Sequence, residues 1–577
     1  TILDPACGSG AFPIGILQKV VYILQQVDEK AEVWLENQLK YVNSPELRRD
    51  IEEKYKSENY DWLRKLGVIR ESIFGVDIQT IATEIAKLRC FLTLVIEEDV
   101  VDDKDNRGIK PLPNLDFKFV TANTLIGLPQ GASKGQSSLL EDTTHIDALQ
   151  QIRDEFFTAP NDLRNELKNN FYRLQKQMFE ATINRFGGTV SDRYSLLSGW
   201  DPFEHKATHW FDSEWMFGLN SFDIVIGNPP YGAKFSTNIK DAERLKKYFK
   251  STYQSTKTIN SVQKGSLDTF SLFTEKGYDL LSKNGTLVYI VPLSIVTSDS
   301  ITGLHRILFN NCEMIRVSNY AKRPVQIFNS ALTANTIILF TKTFTPTKEL
   351  WTTKLNRLSE AGKLQELIDS LQFTNGLDHQ LNGRIPKISH TIEDTILNKL
   401  FDESSAKIHQ LQRTSGDKIY YRSAGGRYFN VITDSANGLS SEKSITFESD
   451  MISVIGTILS STLFWWYQQV YTDCLNLKSY EIGQFPIPVA KLDENSKIEF
   501  KQIWKQYSDD IERNAEIQIT TTSTTYKVSQ FKVYKLRKSK SLIDKIDSLV
   551  CNLYGFTKEE TDFIKNYEIQ FRTSNDD

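Results

Sequence analysis

The chain has 577 residues, 40% of them hydrophobic and 25% charged, an ordinary globular composition long enough for two or three domains. Its 69 basic and 73 acidic residues leave a net charge of -4, so no global positive field holds it to nucleic acid, and any such binding must come from local patches. Five scattered cysteines with no C-x-x-C pair argue against a thiolate zinc site and a disulfide framework, and no run of about 18 apolar residues suits a membrane span. A reducing cytoplasm is the expected compartment, with no metal site.

From Thr1 to about Thr343, short β-branched runs alternate with stretches of helical period, which predicts an α/β fold with a doubly wound, mostly parallel, Rossmann-like sheet. The expected elements are a strand at Thr1 to Leu3, a helix at Gly10 to Val27, a strand at Ser72 to Val76 and a helix at Gln79 to Ile96. Strands at Phe117 to Thr121, Phe222 to Gly227 and Thr286 to Val291 follow, with a helix at Thr269 to Ser282 ahead of the last. Glu313 to Val317 and Thr336 to Thr341 close the sheet. Two insertions, 28–70 and 130–220, are too long for simple connections and are expected to be helical subdomains. The first domain therefore spans 1–347. Near Lys348 the alternation lapses, and short Gly-punctuated strands with many aromatics predict a mixed α+β domain at 376–500, then a C-terminal helical segment at 501–577. Asp450 to Tyr471 reads as one buried helix, closed by Phe485-Pro486-Ile487-Pro488. Thr520 to Thr525 reads as a loop.

Three strand-tip motifs carry chemistry. Asp4-Pro5-Ala6-Cys7-Gly8-Ser9-Gly10 follows a strand and opens a helix, where a Gly-rich turn lets backbone approach a ligand. Asp4 would repel a pyrophosphate but suits a cation. Asp77, in Phe74-Gly75-Val76-Asp77-Ile78, puts a carboxylate where it can accept two ribose hydroxyls, with Ile78 against a purine face; the competing reading is a cap on the next helix. Phe222-Asp223-Ile224-Val225-Ile226-Gly227 then stops at Asn228-Pro229-Pro230-Tyr231. Two prolines remove backbone donors and stiffen the turn, leaving the Asn228 side-chain oxygen and the Pro229 carbonyl to hold both hydrogens of an exocyclic amine, while Tyr231 stacks on its ring.

In that order these motifs resemble the γ-class methyltransferases that methylate the adenine amine of DNA with S-adenosylmethionine. The resemblance extends through Asn123-Thr124-Leu125, Leu267-Asp268-Thr269-Phe270-Ser271-Leu272-Phe273, Val288-Tyr289-Ile290-Val291-Pro292 and Val325-Gln326-Ile327-Phe328. It implies that Asp4, Pro5, Ala6, Gly8 and Gly10 surround the cofactor's methionine part, Asp77 its ribose, and Ile78 and Asn123 its adenine, with Phe270 lining the pocket. Many members carry Asp where Asn123 stands. Phe328 matches the aromatic that faces the flipped target base opposite Tyr231. Leu463-Phe464-Trp465-Trp466-Tyr467 and Ile482-Gly483-Gln484-Phe485-Pro486-Ile487-Pro488 resemble the target-recognition region of type IIG restriction-modification enzymes, although an aromatic run is more often plain core.

Double-stranded DNA is the expected partner, its phosphates held by two local basic stretches. One follows N-P-P-Y and includes Lys234, Lys246 and Lys247; the other, Lys527 to Lys545, includes Lys535, Arg537 and Lys538. The first is expected to be a mobile loop without DNA. Rival readings are a cytosine-amine or protein-glutamine methyltransferase and a non-catalytic DNA-specificity subunit. The cofactor turn begins at the fourth residue, so a helical connector, with a nuclease domain or subunit upstream, is also expected.

Overall fold

The computed structural model describes the chain except for residues 42–44, 99, 101, 104, 110–113, 129–142, 160, 186–195, 198, 205, 233, 261–263, 329–332, 403, 425–428, 440, 520–529 and 574–577. The Thr520 to Thr525 loop and Lys527 therefore lie outside the described residues, as does the Gly/Ser-rich start of the second insertion.

The strands are β1 (Ile2–Asp4), β2 (Ile73–Asp77), β3 (Phe119–Thr121), β4 (Phe222–Gly227), β5 (Leu281–Pro292), β6 (Met314–Tyr320), β7 (Asn335–Thr341), β8 (Glu349–Asn356) and β9 (Thr374–Asn375). They form one sheet in the order β3-β2-β1-β4-β5-β7-β6-β8-β9. β3, β2, β1, β4 and β5 run parallel, and β7 enters antiparallel between β5 and β6. This is the expected α/β class. Chain order reverses between β1 and β4, and in such sheets ligands bind outside the carboxyl ends of the strands at that reversal.

The sheet does not end near Thr343 as expected. β8 pairs parallel with β6, and β9 pairs antiparallel with β8, so the first domain runs past residue 347. The β8 sequence Glu349-Leu350-Trp351-Thr352-Thr353-Lys354-Leu355-Asn356 lacks an apolar run because its interior is polar. Asn319 Nδ2 donates to the Thr353 carbonyl at 2.8 Å, Thr336 Oγ1 to Asn319 Oδ1 at 2.9 Å, and Asn356 Nδ2 to the Asn319 carbonyl at 3.0 Å. These buried polar groups stay in the sheet because each finds a partner.

The first insertion forms three helices, Glu32–Tyr41, Pro45–Lys56 and Tyr60–Glu71. Leu47, Ile51, Trp62 and Leu66 pack in one core with Leu17 and Val21 of the helix Ala11–Val27 and with Cys90 and Leu94 of the helix Thr80–Val95. In the second insertion, Phe156, Phe171, Trp200 and Phe203 pack around Phe117, four rings within 6.2 Å of its centroid. Both insertions thus extend the sheet's core rather than stand apart.

Beyond the sheet a second apolar core gathers residues from Ile388 to Tyr567. Small antiparallel sheets, including Asp417–Arg422 between Ile432–Thr433 and Glu442–Phe447, pack with helices here. Asp450 to Tyr471 is two helices, Ile452–Ser460 and Thr462–Tyr471, not one. Ser461 turns extended (φ -75°, ψ 158°), and its hydroxyl accepts from the Phe464 amide at 3.2 Å, capping the second helix. Phe464, Trp465 and Trp466 are buried, so the plain-core reading of that run holds. Arg357, just past β8, pairs with Glu568 at 2.7 Å and ties the sheet's far edge to this second core.

Candidate active site

Asp4 ends β1 and is 3% exposed. Its Oδ1 accepts from the Ala6 amide at 3.1 Å, which folds the following turn around the carboxylate. Burial, and to a lesser degree the nearby Asp77, push its pKa up to about 7 against the pull of the Ala6 bond. Gly8 and Gly10 have φ of +53° and +82°, a left-handed backbone that glycine adopts without strain. A Cβ on Gly10 would stand 2.9 Å from the Ala86 Cβ, whereas one on Gly8 would meet nothing within 4 Å. The turn is therefore pressed on the Thr80–Val95 helix at one glycine and open at the other.

Asp77 ends β2 and does two jobs at once. Its Oδ2 accepts from the Gly8 amide and its Oδ1 from the Gln79 amide, both at 2.9 Å. The second bond belongs to the capping reading, while the first crosses to the glycine turn. Each carboxylate oxygen keeps a further lone pair for a ligand hydroxyl. Beside it Ile78 is 58% exposed. Asn123 follows β3, and its Oδ1 accepts from the Leu125 amide at 3.2 Å. The next residue, Thr124, donates its hydroxyl to the Pro5 carbonyl at 2.7 Å, so the third strand tip is fastened to the first turn.

Across the reversal, Gly227 ends β4, where a Cβ would come within 2.5 Å of Asp4 Oδ1. Glycine here lets the buried carboxylate lie against the β4 tip immediately before Asn228. The Asn-Pro-Pro-Tyr turn is clamped to the helix Thr269–Leu280 by three bonds. Thr269 Oγ1 donates to the Pro230 carbonyl at 2.6 Å, the Thr269 amide to the Gly232 carbonyl at 2.8 Å, and the Gly232 amide to Asp268 Oδ1 at 2.9 Å. Asp268 also caps that helix. Sequence reasoning quoted Asp268 and Thr269 without giving them a role; an Asp-Thr pair heading an apolar helix is a capping signal that marks such a clamp.

Tyr231 packs partly buried against the sheet's core, and its hydroxyl donates to Asn228 Oδ1 at 2.5 Å and to the Ile290 carbonyl at 3.1 Å. Burial pushes its phenol up to about 12. Phe270 is 1% exposed, inside the sheet's core behind the turn. Phe328 lies in the connection between β6 and β7, which emerges at the carboxyl end of β4 and β5. The strand tips thus gather Asp4, Asp77, Asn123 and Asn228 at one edge of the sheet, with Phe328 in a loop over that edge.

The basic stretch after Tyr231 is not a loose loop. Residues Ile239–Thr252 form a helix that buries Phe249, whose ring lies 4.9 Å from that of Phe235. Tyr248 Oη accepts from the Gly127 amide at 3.1 Å and Tyr253 Oη donates to the Leu125 carbonyl at 2.8 Å. This aromatic anchorage, hidden by the surrounding charge, is why an expectation of mobility fails. Lys246 and Lys247 face solvent from this helix, and Lys234 is exposed ahead of it. The second stretch is largely neutralised: Lys532 pairs with Glu512 at 2.5 Å, Lys535 with Glu516 at 3.4 Å, and Lys540 with Asp544. Lys538 is exposed and Arg537 half-buried. Among the described residues no helix is long and apolar enough to cross a membrane.

Comparison with known proteins converges on this site. Residues 71–328, which contain Asp77, Asn123, the Asn-Pro-Pro-Tyr turn and Phe328, match the family of the Eco57I restriction-modification methylase. A Methanocaldococcus jannaschii protein described as a type II restriction enzyme and methyltransferase is 25% identical over 394 residues, 59% of this chain and 30% of that protein. The type II restriction enzyme and methyltransferase RM.Eco57I of Escherichia coli is 24% identical over 300 residues, 50% of this chain and 27% of its own length. The matches therefore span less than a third of these two relatives. Among solved structures, the type IIL restriction-modification enzyme MmeI in complex with DNA aligns with 94% of this chain and 78% of its own, at 11% identity and a TM-score of 0.39.

Proposed function

We propose that this chain, which carries an Eco57I restriction-modification methylase domain, transfers a methyl group from S-adenosylmethionine to the exocyclic amine of adenine in a specific sequence of double-stranded DNA. The observation that carries the reading is the juxtaposition at the strand reversal of a buried carboxylate, Asp4, with the amide of Asn228, through the side-chain-free Gly227. A cation-binding cradle and an amine-binding turn are thereby neighbours.

The cofactor fits the cradle by the chemistry of the groups present. Asp4, raised toward neutrality by burial, gains from a cationic partner such as the ammonium of a methionine moiety. The open face at Gly8 admits that moiety against backbone, Asp77 keeps lone pairs for ribose hydroxyls, and exposed Ile78 offers an apolar face to adenine. When bound, S-adenosylmethionine supplies a methyl group on a sulfonium, electrophilic enough to need no general base before attack.

The chain's own residues then orient the nucleophile. Asn228 Oδ1 and the Pro229 carbonyl accept the two hydrogens of the amine, which draws its lone pair out of the ring and toward the cradle. Tyr231, and Phe328 from the opposite loop, stack on the base. An adenine inside a duplex cannot reach the strand tips, so the base must leave the stack. Catalysis here is positioning. The exposed lysines on Ile239–Thr252 track phosphates beside the site. We assign target recognition to the mixed domain at 376–500 with support from the segment 501–577, and we place any nuclease in polypeptide outside these 577 residues.

The test is incubation of the chain with methyl-labelled S-adenosylmethionine and unmethylated genomic DNA, followed by sequencing that distinguishes modified adenine from modified cytosine. Modified adenine in one sequence context is expected. Label on cytosine, or on protein glutamine in a cell extract but not on DNA, would replace this reading with the corresponding rival.

A further inference from the structure

Tyr231 has one hydroxyl hydrogen and two acceptors before it, Asn228 Oδ1 and the Ile290 carbonyl. Asn228 Oδ1 is the atom needed by the incoming amine. An amine can use it fully only if the tyrosine hydrogen turns to the other acceptor, and the phenolic oxygen must hold still while its hydrogen turns. Something must grip that oxygen from a direction neither acceptor occupies.

The group in place is Asn335, the first residue of β7. It lies opposite Pro292 in the β5–β7 ladder, two positions along from Ile290, whose carbonyl accepts from Tyr231. The side chain is 1% exposed, and its Nδ2 has no hydrogen-bond acceptor at ideal geometry. A buried amide donor without an acceptor is unfavourable and uncommon in a folded protein. It faces the Tyr231 hydroxyl and acts on it as a hydrogen-bonding partner, opposing the upward push of burial. The backbone around it is fixed, since Leu293 donates to the Ala334 carbonyl at 2.9 Å and Asn335 is laddered to both Pro292 and Tyr320.

We infer that Asn335 is a positioning residue for methyl transfer: its amide donates to the Tyr231 oxygen and holds the ring in place while the tyrosine hydrogen swings from Asn228 Oδ1 to the Ile290 carbonyl as the target amine arrives. Tyr231 Oη can accept this bond because its own hydrogen is directed elsewhere. The inference rests on the proposed reaction, but the Asn335–Tyr231 coupling is a property of the protein that can be read without turnover.

The experiment is a double-mutant cycle of Asn335→Leu and Tyr231→Phe in the whole chain, with two readouts. In single-turnover methylation, Asn335→Leu should slow transfer about tenfold, the effect of one lost hydrogen bond to a positioned group, with cofactor affinity within about twofold of wild type. In the Tyr231→Phe background the same substitution should cost nothing further. In protein with 13C-labelled tyrosine rings, the Tyr231 ring-carbon resonance, identified by its loss in Tyr231→Phe, should move in Asn335→Leu. If thermal unfolding shows that Asn335→Leu misfolds, Asn335→Ser replaces it. An equal loss of rate in both backgrounds, or an unmoved resonance, overturns the inference. Should the wild type methylate no DNA while the resonance still moves, the proposed reaction fails and the coupling stands.

Discussion

The Gly8 amide donates to Asp77 Oδ2 at 2.9 Å, so a carboxylate at the tip of one strand holds the shape of the turn that follows its neighbour. Because Asp77 also accepts from Gln79, a ligand role and a capping role are joined in one side chain. Asp77→Ala should therefore lower both cofactor affinity and stability, whereas Asp77→Asn should separate them. The amide keeps one acceptor for Gly8 but loses the charge, so thermal stability should fall little while affinity for S-adenosylmethionine falls at least tenfold, given roughly 1.5 to 3 kcal/mol for a hydrogen bond to a charged group. Calorimetric titration alongside thermal unfolding reads both. Unchanged affinity in Asp77→Asn would reduce Asp77 to a structural tie.

The strand tips were legible because each is written as an apolar run ending in a residue with one evident use: Asp4 and Asp77 after β-branched strands, Asn228 before two prolines. What holds the tips together was not legible, since a bond such as Thr124 to Pro5 or Thr269 to Pro230 joins residues far apart in sequence. The outer strands failed for another reason. The Asn319, Thr336, Thr353 and Asn356 network makes part of that interior polar, and a search for apolar runs stops before β8. Asn335 escaped notice on the same ground, being a polar residue at a strand start that reads as a turn until β5 and β7 are paired.

Asn228→Ala should cut methyl transfer by at least a hundredfold while leaving cofactor affinity within about twofold. The substitution removes an acceptor made for the reacting amine, and such losses fall on the transition state. The cofactor cradle is fastened by Asp4, Asp77 and Thr124, none of which bonds to Asn228. Rapid-quench transfer and equilibrium titration on one preparation test this. Near-normal turnover would remove Asn228 from the reaction.

Asp4 makes cofactor binding pH-dependent. Its pKa is raised to about 7 in the free protein, chiefly by burial, and a cationic ligand must lower it. Below about pH 7 binding therefore releases a proton from Asp4, and affinity should weaken about tenfold per pH unit as pH falls, levelling off above 8. The sign for stability is the opposite of the usual carboxylate case. A raised folded pKa favours the fold while Asp4 is protonated, and that contribution is lost as pH rises through about 7. Without cofactor, Asp4→Asn should accordingly stabilise the protein at pH 8 more than at pH 5. Titration calorimetry at pH 6 in buffers of different ionisation enthalpy should show about one proton released by wild type and none by Asp4→Asn; equal heats across buffers for wild type would end the argument.

The two basic stretches should differ in their contribution to DNA affinity. Lys246 and Lys247 project from an anchored helix beside the site, so they lose little entropy on meeting phosphates. Around Lys535 the cations are already engaged: Lys535 faces Glu516 and Lys532 faces Glu512, and a phosphate must compete with those carboxylates. Charge reversal at Lys246 and Lys247 together should weaken binding and flatten the dependence of log affinity on log salt by about two units, near one per lost phosphate contact. Reversal at Lys535 and Lys538 should flatten it by less than one. Fluorescence anisotropy across roughly 50 to 200 mM salt measures both slopes. If the Lys535 and Lys538 pair gives the larger change, the phosphate track runs over the C-terminal hairpin instead, and the Ile239–Thr252 helix is only a solvated face.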